Sequence, residues 1–301
     1  LLYLFLGLYS LAEEQPADIW NIDKKSIESS AQSNDLNLEK TIKSKEKDLG
    51  IYNMQSQNKN NLIELDQTSE IEKIKIIGLY DPSDYDLDIN MWSNSDGDQL
   101  KNIFLKLEKL KLSNDARELM NISLLTNAFS PQKNISREEF LEFKSNWLIK
   151  NADLDLIETY LIKNKIINSH TKLTKYFLDE NLSVANIDEV CELFKKNLEA
   201  INDEYISKYN IYCLIRDNKI EEAQLIYDLK KELGFKDEYF EKKISYLFNF
   251  TSTIDEEISE KSIFDFYLAH QTNPNFLFEP KETTKKIIWR YLSSANLLNS
   301  F

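Results

Sequence analysis

The sequence predicts an all-α fold built from antiparallel pairs of helices. Five Gly and five Pro among 301 residues are too few for a fold with many β-turns or for a glycine-rich phosphate loop. From residue 98 onward, apolar residues recur at three- and four-residue spacing, which is the period of an amphipathic helix. Because the segments between these helices are short, we expect consecutive helices to pack as antiparallel pairs.

The first element is an uncharged apolar run, LLYLFLGLYSLA, which is typical of the hydrophobic part of a signal peptide. Ser10 and Ala12 stand where signal peptidase reads small residues if it cuts before Glu13. The run has neither an initiator Met nor a basic start, so we expect the chain to begin inside a longer reading frame. We predict that residues 1–12 are a signal peptide. A buried N-terminal helix is the alternative.

A polar tract follows at residues 13–70, and we expect it to be a disordered tether because it has no sustained apolar period. Trp20 lies in a short apolar island near its start and is either a docking motif or an incidental aromatic residue. No later run approaches the roughly 18 apolar residues that span a membrane. Once the signal peptide is removed, no transmembrane segment is expected.

We interpret residues 71–97 as an extended and capping segment. Ile71–Tyr80 is apolar and β-branched, which favours an extended strand-like piece entering the folded region. Asp81–Asp98 is rich in Asp, but an EF-hand register would put Trp92 and Ile103 at ligand positions, where neither can coordinate calcium. We therefore expect a capping loop, with Ser95 or Asp96 near the start of a helix.

The helical-repeat domain is predicted to occupy residues 98–301 and to continue beyond them. The apolar periodicity predicts helices at Gln99–Leu112, Asp115–Ala128, Arg137–Lys150, Leu154–Asn164, Leu173–Glu180, Ile187–Asn197, Glu204–Arg216, Ile220–Leu233, Glu238–Phe248, about Glu257–Ala269 and about Thr283–Leu298.

Three segments, starting at Ala152, Ala185 and Asn218, align when the chain is shifted against itself by 33 residues. A phase kept over two such steps is typical of stacked helical repeats. Four columns stay apolar in all three segments: Leu154, Ile187 and Ile220; Ile157, Val190 and Ala223; Tyr160, Leu193 and Ile226; and Leu161, Phe194 and Tyr227.

The third segment, DNKIEEAQLIYDL at residues 217–229, resembles the second helix of a tetratricopeptide repeat, with Ala223 as the small residue and Tyr227 four residues later. The resemblance covers roughly residues 137–250 and implies a short right-handed solenoid. Ile211 and Phe235 depart from the small residue and the closing Pro of the family. The signal peptide, tether, LYDPSDYDLDINMW segment and helix pairs together also resemble uncharacterised exported proteins of Gram-negative bacteria.

No recognisable catalytic or cofactor-binding motif occurs in the sequence, so no cofactor is predicted. His170 and His270 have no second His or Cys at metal-ligand spacing, and we expect solvated or capping histidines. The net charge of −14 argues against nucleic acid as a partner. For Cys191 and Cys213 we favour two separate buried thiols, and a disulfide between them is the alternative.

The function predicted from the repeats is non-catalytic binding of a protein or peptide in the periplasm or an equivalent exported compartment. The alternative is the helical superstructure of an enzyme whose catalytic domain lies beyond Phe301. In a tetratricopeptide-like register the first helix of each pair lines the concave face, in three columns: Glu139, Lys172 and Tyr205; Glu142, Lys175 and Lys208; Asn146, Asp179 and Tyr212.

Five of these residues are the candidate binding site: Lys172, Lys175, Tyr205, Lys208 and Tyr212. The lysines form a basic spot on an acidic chain, so we expect them to attract a peptide that carries acidic groups. The two tyrosines would supply apolar contact. The alternative is that all five are ordinary solvated residues.

Export gives the first testable prediction. The full-length precursor, expressed in a Gram-negative host, should be recovered from the periplasm and should begin at Glu13, because Ser10 and Ala12 fit the specificity of signal peptidase. N-terminal sequencing of the purified protein measures this. An uncleaved cytoplasmic product would contradict the prediction.

Overall fold

The protein is described here by a computed structural model, over residues 76–197 and 199–298. Within these residues the all-helical prediction is confirmed, since they contain eleven α-helices and no β-strand, only two isolated bridges. The predicted signal peptide and the polar tether with Trp20 lie outside the described residues. The helices are α1 (Gly97–Lys109), α2 (Asn114–Leu125), α3 (Arg137–Asn151), α4 (Leu154–Asn164), α5 (Thr171–Ser183), α6 (Ile187–Lys195), α7 (Glu204–Arg216), α8 (Ile220–Glu232), α9 (Glu238–Leu247), α10 (Ile263–Thr272) and α11 (Lys286–Ser294).

Polar side chains at the N-cap position explain where most of these helices begin. An Asp, Ser or Asn caps eight of the eleven helices by accepting a hydrogen bond from a backbone N–H in the first turn. Asp96 caps α1 in this way, so the acidic stretch before α1 ends as the expected capping loop. Nowhere in the described residues do three or more His, Cys, Asp or Glu side chains come together to hold a metal ion.

Helix α10 begins six residues later than the sequence predicts, at Ile263 rather than about Glu257. Ser262 caps it through the N–H of Asp265. The residues before it are irregular and are held against α9, where Lys243 Nζ donates to the carbonyl oxygen of Asp255 at 2.5 Å. The predicted start was wrong because apolar residues keep a helical spacing through this segment. The hydrogen bond from Lys243 to the carbonyl oxygen of Asp255 instead holds its backbone in an irregular conformation.

The extended residues 76–80 enter the fold between α2, α3 and α4. Gly78 both donates to and accepts from the side-chain amide of Asn164, at 3.0 Å each way. Lys144 Nζ donates to the carbonyl oxygen of Ile77 at 2.7 Å. A Cβ at Gly78 would lie 2.6 Å from the carbonyl oxygen of Leu125, so the close approach of the two backbones requires glycine.

The helices share one large core, with a smaller one between α1, α2 and α3. Helix α3 contacts α5, α5 contacts α7, and α7 contacts α9, so the first helices of successive pairs lie side by side. Helices α6 and α8 pack on their neighbours in sequence. The last two helices fold back, since α10 contacts both α5 and α9, and α11 contacts α5.

A substitution at Ala223 tests the packing of α7 on α8. It is fully buried in the core, and we expect Ala223→Leu to lower the free energy of unfolding by about 1–3 kcal/mol because three extra carbons must be accommodated at a close helix contact. Urea unfolding followed by circular dichroism measures the change. Asp228→Leu, at an exposed position of the same helix, is the control, and equal midpoints for the two variants would contradict the prediction.

Candidate functional site

The structure brings together the helices on which the predicted binding columns lie. Lys172 on α5 reaches α3, where its Nζ lies 3.5 Å from Glu142 and donates to Asn146 Oδ1 at 2.8 Å. Tyr205 on α7 donates to Asp179 Oδ1 on α5 at 2.7 Å. Residues 26 to 30 positions apart in the sequence, on α3 and α5 and on α5 and α7, are therefore neighbours in space.

Lys208 and Tyr212 do not face an open groove, which corrects the sequence-based expectation of an accessible surface there. Each is only 7% exposed. Lys208 forms ion pairs with Asp237 at the start of α9 and with Asp265 on α10, the latter at 3.3 Å. The hydroxyl groups of Tyr212 and Tyr267 lie 2.8 Å apart. The space over both residues is filled by α10.

Helix α10 fills this space because most of its residues are apolar, with only His270 and Gln271 left unburied near its end. A helix with no polar face has to be covered on all sides, and the first helices of the repeats offer the side chains that cover it. The buried residues of α10 are Ile263, Phe264, Asp265, Phe266, Tyr267, Leu268, Ala269 and Thr272.

The remaining predicted residues, Lys172, Lys175 and Tyr205, are at least partly exposed, and their binding role stays a prediction. Lys175 pairs with Asp203 at 2.7 Å and lies 5.9 Å above the ring of Tyr205. Since Lys172 also has an acidic neighbour, Glu142, the positive charge of this face is largely balanced within the chain. An acidic peptide would have to compete with these internal pairs.

A cavity of about 550 Å³ lies between the first turns of α3 and α5, and it contains the pair Ser145 and His170. Ser145 Oγ lies 3.1 Å from the carbonyl oxygen of Leu141 and 2.7 Å from the ring nitrogen Nδ1 of His170. Which of the two accepts the hydroxyl hydrogen depends on the tautomer of the imidazole. Burial, together with the charges of Lys144 and Arg137, lowers the pKa of His170 to about 4. The expectation of a solvated or capping histidine is wrong here, because His170 is buried and makes no capping hydrogen bond.

The contact between Ser145 and His170 connects α3 to the start of α5.

A groove of about 520 Å³ with a partly apolar lining runs over α7 between α6 and α8; we call it the α7 groove. Its lip is formed by Leu229 and Leu233 of α8, which are 52% and 75% exposed. Its apolar floor is formed by Cys191, Phe194, Ile201, Cys213, Leu214 and Ile226.

The two cysteines in the floor form a disulfide, with Cα atoms 5.3 Å apart. The favoured interpretation of two separate thiols is therefore wrong. Cys191 on α6 and Cys213 on α7 face each other because these helices pack directly on one another, within the narrow distance that a disulfide permits. The bond holds the α6 wall of the groove to its floor.

Charged groups around the rim of the α7 groove are mostly satisfied within the chain. Lys195 lies 3.3 Å from Asp217, and Lys219 lies 3.7 Å from Glu222. Lys230 Nζ donates to the carbonyl oxygens of Ile201 and Asn202. The rim therefore presents little net charge to a ligand, and its apolar floor dominates.

The sequence holds a signal for this groove that the repeat register does not use. Leu225, Leu229 and Leu233 repeat every four residues along α8, out of phase with the core positions Ala223 and Tyr227. A contiguous exposed apolar stripe is typical of an interaction surface.

No protein family, curated protein or solved structure matches this chain. Every helix in the described part of the chain is too short or too polar to span a lipid bilayer.

The buried ion pairs of Lys208 predict that this residue stabilises the fold rather than binding a ligand. Burial would raise the pKa of Asp237, but hydrogen bonds from Lys208 and from the N–H of Phe240 outweigh it and hold the pKa below its usual value. Lys208→Ala leaves Asp237 and Asp265 without their shared counter-charge, so we expect a loss of about 3–5 kcal/mol in the free energy of unfolding.

Urea denaturation measures this loss, and Lys172→Ala is the control, since Lys172 is an exposed lysine for which we expect a change below about 1 kcal/mol. Equal unfolding midpoints for the Lys208→Ala and Lys172→Ala variants would show that Lys208 is not a structural residue.

Proposed function

We propose that this protein is a non-catalytic helical protein that binds a protein or peptide in an exported compartment. The observation that carries the proposal is the α7 groove, an open apolar surface whose lip consists of exposed leucines. Large exposed apolar surfaces on monomeric proteins are rare and are commonly binding sites.

The binding surface that we propose differs from the one predicted from the repeat register. Lys208 and Tyr212 are covered by α10, and Lys172 and Lys175 have acidic partners within the chain. By contrast, the α7 groove is an open surface with the exposed apolar side chains of Leu229 and Leu233 at its lip. A ligand gains more from apolar burial there than from displacing internal ion pairs elsewhere.

For the architecture we propose tetratricopeptide-like pairs, α5 with α6 and α7 with α8, stacked with α3 and α4 as a short right-handed solenoid. Contacts between α3 and α5 and between α5 and α7 support it, as does the 33-residue spacing of the three aligned segments. In this arrangement the α7 groove belongs to two successive pairs, so the stacking of the repeats creates the binding surface.

For the compartment we propose export, supported by two independent features. The first is the apolar run at residues 1–12. The second is the bond between Cys191 and Cys213, since disulfides persist in oxidising spaces and are rare in the reducing cytosol.

Peptide binding by the α7 groove is tested with a phage-displayed library of random peptides of about 12 residues, selected on the mature protein. Peptides that survive selection should bind in fluorescence anisotropy and should lose at least about tenfold in affinity on Leu229→Asp, because a charge is placed in the apolar lip. Leu119→Asp changes an exposed leucine of α2 and is the matched control. Selected peptides that bind the Leu229→Asp variant as tightly as the parent would contradict the proposal.

A further inference from the structure

The leucine stripe of α8 extends the apolar surface of the groove onto the outside of the helix. Leu225 is 70% exposed and lies one turn before Leu229 and two turns before Leu233. Leu229 and Leu233 form the lip of the α7 groove, so the groove and the stripe are continuous. A ligand that fills the groove therefore also meets the leucines of α8.

The outer edge of the stripe, on the side away from the groove, carries charge of one sign. At about 100° per residue, Glu221, Asp228 and Glu232 all fall on this edge. All three side chains are exposed. Within the described residues, the ion pairs of α8 are made by other side chains, Glu222 and Lys231. The outer edge is thus a row of three carboxylates without a cationic partner in the part of the chain that the structure describes.

The length and the walls of the α7 groove fit a helical ligand. Helix α7 has 13 residues, which corresponds to a length of about 20 Å. Helices α6 and α8 flank it as two walls. A helix of three to four turns has this length, and its apolar side chains would enter the space between the walls, as Phe264 and Tyr267 of α10 pack on α7 from the other side.

We propose that the α7 groove binds an amphipathic helix of a partner protein, and that this helix carries Lys or Arg along one edge. Its apolar side chains lie in the groove and against Leu229. Its long basic side chains extend across the leucine stripe to Glu221, Asp228 and Glu232, which supply attraction during approach and fix the orientation of the helix. This inference rests on the proposed function.

A second copy of the chain fits the surface poorly. Each copy carries a net charge of −14, so two copies repel each other. In an antiparallel pair of α8 helices related by a twofold axis, equal edges meet, and the row of Glu221, Asp228 and Glu232 would face the same row of the partner. The charge pattern therefore favours a ligand of opposite sign.

Three synthetic peptides of about 14 residues test the ligand class against the mature protein. The first has a leucine stripe with a lysine edge, the second has the same stripe with a glutamate edge, and the third has the lysine edge with serines in place of the leucines. In fluorescence anisotropy we expect the first to bind at least about tenfold more tightly than the other two, with an affinity that falls as salt is added.

Charge reversal in the protein provides the matched test. The triple variant Glu221→Lys, Asp228→Lys, Glu232→Lys should prefer the glutamate-edged peptide over the lysine-edged one. Glu118→Lys, at an exposed position on α2, should leave the preference unchanged. Circular dichroism and the unfolding midpoint establish that the variants are folded.

Each alternative outcome overturns the proposal in a distinguishable way. Equal binding of the lysine- and glutamate-edged peptides, both weakened by Leu229→Asp, would reject a basic ligand while leaving the groove as a binding site. Binding of the third peptide equal to that of the first would reduce the interaction to surface charge. Dimers in light scattering that Leu229→Asp dissolves would assign the surface to a second copy. Failure of these peptides and of every library peptide would reject both the basic ligand and the proposed function.

Discussion

The need to cover α10 is the constraint on which the rest of the helical arrangement depends. Eight of its ten residues are buried, including two Phe and one Tyr. Such a helix is unstable on a surface, so it lies across the first helices of the repeats, where Phe264 packs on the rings of Tyr209 and Phe240. Its position on one side of α7 explains why that side offers no open groove.

The polar groups that face α10 stabilise the fold, because they are buried together with this helix. Asp179 accepts hydrogen bonds from Tyr205 and Tyr209, at 2.7 and 2.8 Å, and Lys208 lies between Asp237 and Asp265. A buried charge is tolerated only when it is paired. These contacts set the register of α10 against α5, α7 and α9, and Lys208 and Tyr212 of the predicted groove are part of the interior.

The opposite side of α7 remains available because nothing in the described chain packs there. The disulfide joins α6 to α7 at this side, so the groove keeps its shape without a covering helix. A rigid apolar floor loses little entropy when a ligand binds. The proposed binding surface and the contacts of α10 thus lie on different sides of α7, so Leu229 on α8 can be changed without disturbing the contacts of α10.

The sequence by itself determined the helices, because apolar periodicity and capping residues such as Asp96 and Ser136 act over a few neighbouring residues. The 33-residue spacing of the aligned segments also predicted that α3, α5 and α7 lie next to each other. Only the tertiary structure decided which face of α7 stays open, since this depends on where α10 returns, about 50 residues later in the chain. The pairing of Cys191 with Cys213 was likewise decided by the packing of two helices, because a disulfide requires a Cα separation that spacing along the chain does not specify.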